Sequence, residues 1–165
     1  MDEEIKRQNY LREGLKFVLK WEGQDYVDDP SDPGGETKYG ISKKAHPNED
    51  IKALTKERAL EIYVQDYWVP AGCDTIPYPY NVAVFDTAVN CGVSRAKQWL
   101  RDSKDVIQFM NFRREHYINI INKNTNLMRF AKGWWNRMTD LNKYIAINGG
   151  FDSALGRSEN HGSPV

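Results

Sequence analysis

One glutamate, Glu22, stands where a carboxyl group is unusual. It follows Val18 by four positions and Leu19 by three, so it extends the apolar face of a predicted helix. A carboxyl group at the end of a buried face loses hydration, which favours its protonated form. The negative partial charge at a helix C-terminus acts in the same direction. An acid that stays protonated near neutral pH can protonate the leaving oxygen of a glycosidic bond.

The segment after Glu22 is rich in acidic and turn-forming residues. The Pro-Gly-Gly at 33–35 permits a tight turn that brings Asp32 and Thr37 back toward the helix. A carboxylate and a hydroxyl facing the acid hold and activate one water, as in inverting glycosidases, whose carboxyl groups lie about 6.5–9.5 Å apart. From Glu22 to Thr37 the chain has six carboxylates and no Lys, Arg or His; the six are Glu22, Asp25, Asp28, Asp29, Asp32 and Glu36.

Alternatives for these residues stay open. Asp32 lies in Asp-Pro-Gly-Gly, which forms turns without any catalytic role, and Thr37 equally suits a hairpin strand. Asp28 or Asp29 could be the base in place of Asp32. A calcium-binding loop is rejected because Pro30 has no side-chain oxygen, and a tyrosine stands where the bidentate glutamate is needed.

Helical periodicity dominates the elements that must position these residues. A first helix is predicted over residues 3–21, with Asp2 as its N-cap. Residues 23–40 contain two prolines and four glycines, which favour a loop with at most a small hairpin. Prolines at 70, 77 and 79 predict a second break over 69–79. Further helices are predicted after Thr55, over 81–90, from Ser94, after Asp105 and along the apolar stripe 127–145, giving a mainly α fold.

Two motifs carry a resemblance to a known family. Residues 21–26, Trp-Glu-Gly-Gln-Asp-Tyr, and 32–41, Asp-Pro-Gly-Gly-Glu-Thr-Lys-Tyr-Gly-Ile, resemble glycoside hydrolase family 108. That family comprises N-acetylmuramidases once known as secretion activators and includes phage endolysins. Its glutamate, in a Glu-Gly-Gly-Tyr motif, falls on Glu22. Thr37 follows Glu22 by fifteen positions, as in the Glu–Asp–Thr triad of phage-type lysozymes, whereas Asp32 comes one position later than their aspartate.

The C-terminal half resembles the same family in part. Residues 85–100 are similar to the start of its peptidoglycan-binding segment, and Gly-Trp-Trp-Asn-Arg at 133–137 is similar to its Gly-Trp-x-Asn-Arg end. The stretch usually found between them is missing, because Leu100 runs almost directly into Asp105. We therefore predict three regions: a catalytic region at 1–80, a reduced peptidoglycan-binding-like region at 81–150 packed on it as one fold, and a flexible tail at 151–165.

The resemblance implies a lysozyme-like N-acetylmuramidase that needs no metal or organic cofactor. Glu22 would act as general acid, and Asp32 with Thr37 would position the attacking water, with inversion. The rival hypotheses are a lytic transglycosylase, in which one glutamate suffices, and a non-catalytic wall-binding protein. The substrate-binding candidates are Tyr26, Tyr39, Tyr63, Tyr67, Asn90 and Trp135.

Charge and composition limit the partners. The net charge is zero, but residues 1–85 carry 11 basic and 16 acidic side chains, and residues 86–146 carry 11 and 5. A basic half attracts an anionic partner; we expect peptidoglycan glycan strands, not nucleic acid, and a monomer.

Cys73 and Cys91 lack the spacing of a disulfide framework or zinc site. The polar start lacks a signal peptide, and no apolar run could span a membrane. We expect synthesis in the cytoplasm, a host's if phage-encoded, and holin-type or signal-less release to the wall.

Overall fold

Helices form nearly all of the regular structure in a computed structural model of the chain, which describes residues 2–29 and 34–154. The mainly α prediction is confirmed. None of the described helices is both long enough and apolar enough to cross a membrane. The α-helices are α1 (Glu3–Glu22), α2 (Lys56–Tyr63), α3 (Val69–Ala71), α4 (Tyr80–Cys91), α5 (Val93–Asp102), α6 (Val106–Lys123), α7 (Met128–Ile147) and α8 (Gly150–Ala154). A π-helical turn, Val64–Trp68, and two 3₁₀ turns, Cys73–Thr75 and Thr125–Leu127, lie between them.

Helix α1 begins and ends close to the predicted positions. The side chain of Asp2 accepts a hydrogen bond from the Glu4 amide at 3.3 Å, which satisfies one of the free N–H groups of the first turn. The apolar face buries Phe17, Val18 and Leu19. The helix ends at Glu22, so the glutamate lies at the end of this buried face.

The predicted small hairpin consists of β1 (Thr37–Lys38) and β2 (Ile41–Ser42), paired antiparallel. Its two turn residues, Tyr39 and Gly40, have φ angles of 52° and 75°, the pattern of a two-residue turn that matches the twist of paired strands. Val27 and Thr37 exchange two backbone hydrogen bonds of 2.8 Å, which tie the preceding loop to β1. The hairpin therefore has a fixed position beside the end of α1.

The predicted break over 69–79 begins later than expected. Helix continues without interruption from α2 through the π turn to Ala71, although Pro70 lies within it. In a regular α-helix the proline ring collides with the carbonyl group four positions earlier. Here the wider π turn, closed by the Val69 amide on the Val64 carbonyl, precedes the proline and accommodates the ring. Gly72, at φ 74°, then ends the helix.

Helix α4 lies at the centre of the fold. Residues 81–88 are all buried, and Phe85 packs edge-on against Trp68 at 5.2 Å between ring centroids. The apolar core around α4 runs from Phe17 of α1 to Ile145 of α7. The boundary predicted between residues 80 and 81 thus falls inside a shared core.

The long apolar stripe of α7 differs from the prediction at its first turn. Ala131, Met138, Leu141 and Ile145 are buried, but Phe130 is 45% exposed. Helix α8, Gly150–Ala154, extends into the first four residues of the segment predicted as a tail, 151–165. The rest of the predicted tail, 155–165, lies outside the described residues.

Candidate active site

Glu22 meets an arginine from the far end of the chain. Arg137 of α7 donates from Nη1 to Glu22 Oε1 at 2.6 Å, across 115 residues of sequence. The Glu22 side chain keeps 22% of its surface exposed, and Arg137 keeps 7%. The acidic segment after Glu22 has no cation, so the local sequence predicts a carboxyl group held only among like charges. The structure adds a cation in direct contact with the carboxyl group, which the local sequence does not predict.

Behind Arg137 lies a buried carboxylate, Asp86 of α4. Arg137 donates from Nε and Nη2 to Asp86 Oδ1, at 3.0 and 2.8 Å. Arg113 of α6 donates from Nη1 to Asp86 Oδ2 at 2.7 Å. Both Asp86 and Arg113 are fully buried. Burial by itself raises the pKa of Asp86, but the charges and hydrogen bonds of Arg113 and Arg137 outweigh it and hold that pKa below its usual value.

The chain of contacts continues to the end of α4. Arg113 Nε donates to the Tyr117 hydroxyl at 2.9 Å, and that hydroxyl donates to Asn90 Oδ1. Burial raises the pKa of Tyr117 above its usual value, although the charge of Arg113 acts in the opposite direction. The side-chain oxygen of Asn90, a predicted substrate-binding group, is therefore engaged inside the protein.

A second contact pair joins α1 to α7 one turn further on. Asp140 Oδ2 accepts hydrogen bonds from Lys20 Nζ at 2.7 Å and from Trp21 Nε1 at 2.9 Å. Burial raises the pKa of Asp140, but these two hydrogen bonds outweigh it and leave the pKa lowered. The last turn of α1 is thus held against α7 at two points, and only one of them involves Glu22.

The hairpin turn packs directly against Glu22. A Cβ atom at Gly40 would lie 2.4 Å from the Tyr63 hydroxyl oxygen and 2.8 Å from Glu22 Cβ. The Tyr63 hydroxyl donates to the Tyr39 carbonyl at 2.8 Å. Burial, and next the charge of Glu22, raises the pKa of Tyr63. Tyr63 is only 1% exposed, and its hydroxyl supports the turn, so its predicted role as a cleft-lining residue stays a prediction.

This close approach predicts that Gly40→Ala disturbs the site. The substitution places a side chain at positive φ, which costs about 1–2 kcal/mol, and also forces Tyr63 or Glu22 to move. We expect a lower melting temperature and a loss of activity. Gly35→Ala is the matched control, because Gly35 has φ 68° but its added Cβ would lie 3.9 Å from the nearest atom. Equal activity in the two variants, measured beside their thermal melts, would contradict the packing argument.

The other tyrosines predicted to bind substrate have partly exposed rings near the hairpin. Tyr26 donates to Glu36 Oε1 at 2.6 Å, and this hydrogen bond, with burial, raises its pKa to about 12. Tyr67 lies in the π turn, 5.8 Å from Tyr63 between ring centroids. Burial, then the charges of Asp66 and Glu22, raises the pKa of Tyr67. Tyr39 forms the turn itself. These positions place Tyr39 and Tyr67 on the Glu22 side of the fold.

Trp135, the remaining substrate-binding candidate, lies on α7. Its ring meets Tyr117 edge-on at 5.9 Å between centroids, and the neighbouring Trp134 stacks on the same tyrosine at 5.0 Å. Both tryptophans are half-buried. Trp135 therefore packs on the ring of Tyr117, whose hydroxyl accepts the hydrogen bond from Arg113.

Of the two residues predicted to position water, the structure describes Thr37. Thr37 lies in β1, and its hydroxyl donates to the Gly35 carbonyl at 3.3 Å. Asp32 lies outside the described residues, so its predicted role stays a prediction. Of the alternative bases, Asp28 is exposed. Within residues 2–29 and 34–154, no group of three or more His, Cys, Asp or Glu side chains could hold a metal ion.

The sequence interpretation missed the charged residues behind Glu22, although each had a signal. Asp86 stands within an otherwise nearly apolar helical run. Arg113 occupies the apolar face that carries Phe109 and Tyr117, and Arg137 lies four positions before Leu141 on the stripe of α7. Charges on core faces are rarely buried unless paired. One anion and two cations on such faces predict a buried ion-pair network.

Comparisons with known proteins give one family match and one similar solved structure. Residues 15–92 match the sequence profile of the family described as glycosyl hydrolase 108, a range that includes Glu22, the hairpin and α4. The solved structure of Brucella abortus SagA is similar to this chain, with a TM-score of 0.65 and 23% sequence identity. The similarity covers 94% of this chain and 99% of that chain, and it shows a shared fold. No curated protein gives a significant match.

Proposed function

Since residues 15–92 match the family described as glycosyl hydrolase 108, we propose that the chain belongs to that family and is a peptidoglycan hydrolase with N-acetylmuramidase activity. The bond cleaved is the β-1,4 bond between N-acetylmuramic acid and N-acetylglucosamine. One observation carries the proposal: Glu22 is a partly exposed carboxyl group at the end of a buried helix face, fixed by Arg137 and packed against the hairpin turn. A solvated surface glutamate has no such support.

In the proposed mechanism Glu22 protonates the leaving oxygen of the glycosidic bond. Asp32, or one of its acidic neighbours, and Thr37 position a water on the opposite face of the sugar. That arrangement gives inversion at the anomeric carbon. Glu22 is suited to the acid role because the hydrogen bond from Arg137 fixes its carboxyl group while 22% exposure leaves that group accessible to substrate.

The proposed substrate is the glycan strand of the bacterial wall. The half-buried rings of Tyr39 and Tyr67 lie near Glu22, and aromatic rings give a sugar an apolar face to pack on. We propose that the chain acts as a monomer on the wall, as an endolysin does, after release from the cytoplasm.

Product analysis tests the proposal against its rivals. We expect digestion of purified murein to release fragments with N-acetylmuramic acid at the reducing end, identified by mass spectrometry after borohydride reduction. Proton NMR of a fresh digest is expected to show the α-anomer first, because inversion of a β bond gives an α product. Anhydro-muramyl ends would identify a lytic transglycosylase. A β-anomer appearing first would contradict water activation opposite Glu22. Binding without cleavage would leave the wall-binding hypothesis.

A further inference from the structure

Four charged side chains of alternating sign connect Glu22 to the interior of the fold. They come from four different helices: Glu22 from α1, Arg137 from α7, Asp86 from α4 and Arg113 from α6. Two acids and two bases make the chain of charges neutral as a whole. Burying charged groups is costly unless they are paired and hydrogen-bonded. Each of the two inner charges, Asp86 and Arg113, is fully buried and paired.

The geometry of Arg137 fixes its direction. Its Nε and Nη2 atoms are both bound to Asp86, so the planar guanidinium group cannot turn without breaking two hydrogen bonds. The remaining nitrogen, Nη1, then faces Glu22 Oε1 at 2.6 Å. Asp86 thus fixes the orientation of the Arg137 guanidinium group, and Arg137 fixes the position of the Glu22 carboxyl group. Arg113 binds Asp86 Oδ2, which fixes the carboxylate in turn.

We propose that Arg137 is a positioning residue for the Glu22 carboxyl group, and that Asp86 both orients Arg137 and shares its positive charge. The proposal rests on the function proposed above. Asp86 shares the positive charge of Arg137, so Glu22 faces a cation whose field is partly cancelled. A general acid needs this balance, because an arginine with no second partner would favour the carboxylate, which cannot donate a proton.

The other groups around Glu22 leave Arg137 as the main electrostatic influence. Tyr63 of α2 and Tyr67 of the π turn are close enough to affect it and are uncharged at neutral pH. The hairpin contributes Gly40, whose backbone packs on the glutamate. The nearest charges on α1 and α7, Lys20 and Asp140, are bound to one another. Within the described part of the chain, Arg137 is the cation in direct contact with Glu22.

The proposal gives opposite shifts for two substitutions. The rate of a general acid falls as pH rises through its titration, so the upper limb of the kcat–pH profile follows Glu22. Asp86→Asn leaves Arg137 with its charge uncancelled, so we expect that limb to move to lower pH by about one unit. Arg137→Met removes the cation, so the limb moves to higher pH, and lost orientation lowers kcat by about 10- to 100-fold with little change in KM.

Two further variants separate charge from orientation and from helix docking. Arg137→Lys keeps the positive charge but lacks the planar guanidinium group. We therefore expect the upper limb of the kcat–pH profile to stay at the wild-type pH, with a reduced kcat. Asp140→Asn is the matched control, because Asp140 also joins α1 to α7, one turn away from Arg137, but does not touch the ion-pair chain. Its upper limb is expected to match the wild type.

The test uses the full chain on soluble glycan strands, together with carbon-13 NMR titration of the Glu22 carboxyl group, assigned by its absence in Glu22→Gln. The NMR midpoint must move with the same signs as the kcat limb. An unchanged limb and midpoint in Arg137→Met, or an equal shift in Asp140→Asn, would overturn the proposal. If Asp86→Asn does not fold, the Arg137→Met and Arg137→Lys pair decides. A wild type without reducing-end products refutes the proposed function, whereas the NMR titration still tests the positioning.

Discussion

Glu22→Gln is expected to reduce murein hydrolysis by about 10²- to 10⁴-fold, the usual contribution of general-acid catalysis, while the fold stays intact. The amide has nearly the same shape as the carboxyl group, and its carbonyl oxygen can still accept the hydrogen bond from Arg137. It has no titrating proton to donate. The loss should therefore appear in the rate of bond cleavage, measured by turbidity of purified murein, with an unchanged circular dichroism spectrum.

A substitution elsewhere on the same helix gives the matched control. Glu13 pairs with Lys16 on α1, nine positions before Glu22, and is not part of the ion-pair chain. Glu13→Gln removes one carboxyl group and one surface ion pair, which is worth at most about 1 kcal/mol, so activity should stay near the wild type. Retention of more than about a tenth of the rate by Glu22→Gln is incompatible with Glu22 as the general acid.

The elements that the sequence predicted well are those determined by neighbouring residues. The cap Asp2 and the apolar face ending at Leu19 define α1 within about twenty residues of chain. The hairpin likewise depends on local residues, and its two-residue turn forms at Tyr39-Gly40. Glu22 can be identified from the sequence because it lies on an apolar helix face that residues three and four positions away define, where a carboxyl group is unusual.

The surroundings of Glu22 could not be predicted in the same way. Arg137 lies 115 residues away, and the pairing depends on how α7 crosses the end of α1. The periodicity of α7 shows which face is buried but not which helix covers it. The sequence predicts Tyr63 as a cleft residue because tyrosines pack well on sugars. Only the structure shows that its side chain is buried and that its hydroxyl donates to the Tyr39 carbonyl. Side-chain type predicts chemistry, whereas exposure requires the fold.

The ion-pair chain also bears on the boundary between the two halves. The family profile match ends at residue 92, after α4, and that range includes Asp86 but neither of its arginine partners. Arg113 and Arg137 come from α6 and α7, in the region predicted to be a reduced peptidoglycan-binding segment. The half that contains Glu22 therefore receives its electrostatic support from the other half.

A chain truncated after Asn90 is accordingly expected to be unfolded or insoluble, and the full chain to melt in one transition. Truncation leaves Asp86 buried without a cation; removing one partner of a buried ion pair costs about 3–5 kcal/mol. It also uncovers the side of α4 that packs on α5, α6 and α7. Burial of each large apolar side chain there is worth roughly 1.5–3 kcal/mol, so several losses together exceed the usual stability of a small domain, about 5–15 kcal/mol.

The informative control for the truncation is to supply residues 91–165 as a separate chain. The contacts of Asp86 with Arg113 and Arg137 are non-covalent, so the two pieces produced together should recover a folded complex in which the Arg137 guanidinium again meets Glu22. Amide NMR dispersion and murein turbidity measure both properties. If residues 1–90 alone gave a dispersed spectrum and full activity, the second half would be a detachable module and the ion-pair chain unnecessary for catalysis. If the two pieces refold together and Arg137→Met in the second piece lowers the rate, the support that α7 gives to Glu22 acts through that side chain, separately from the burial of α4.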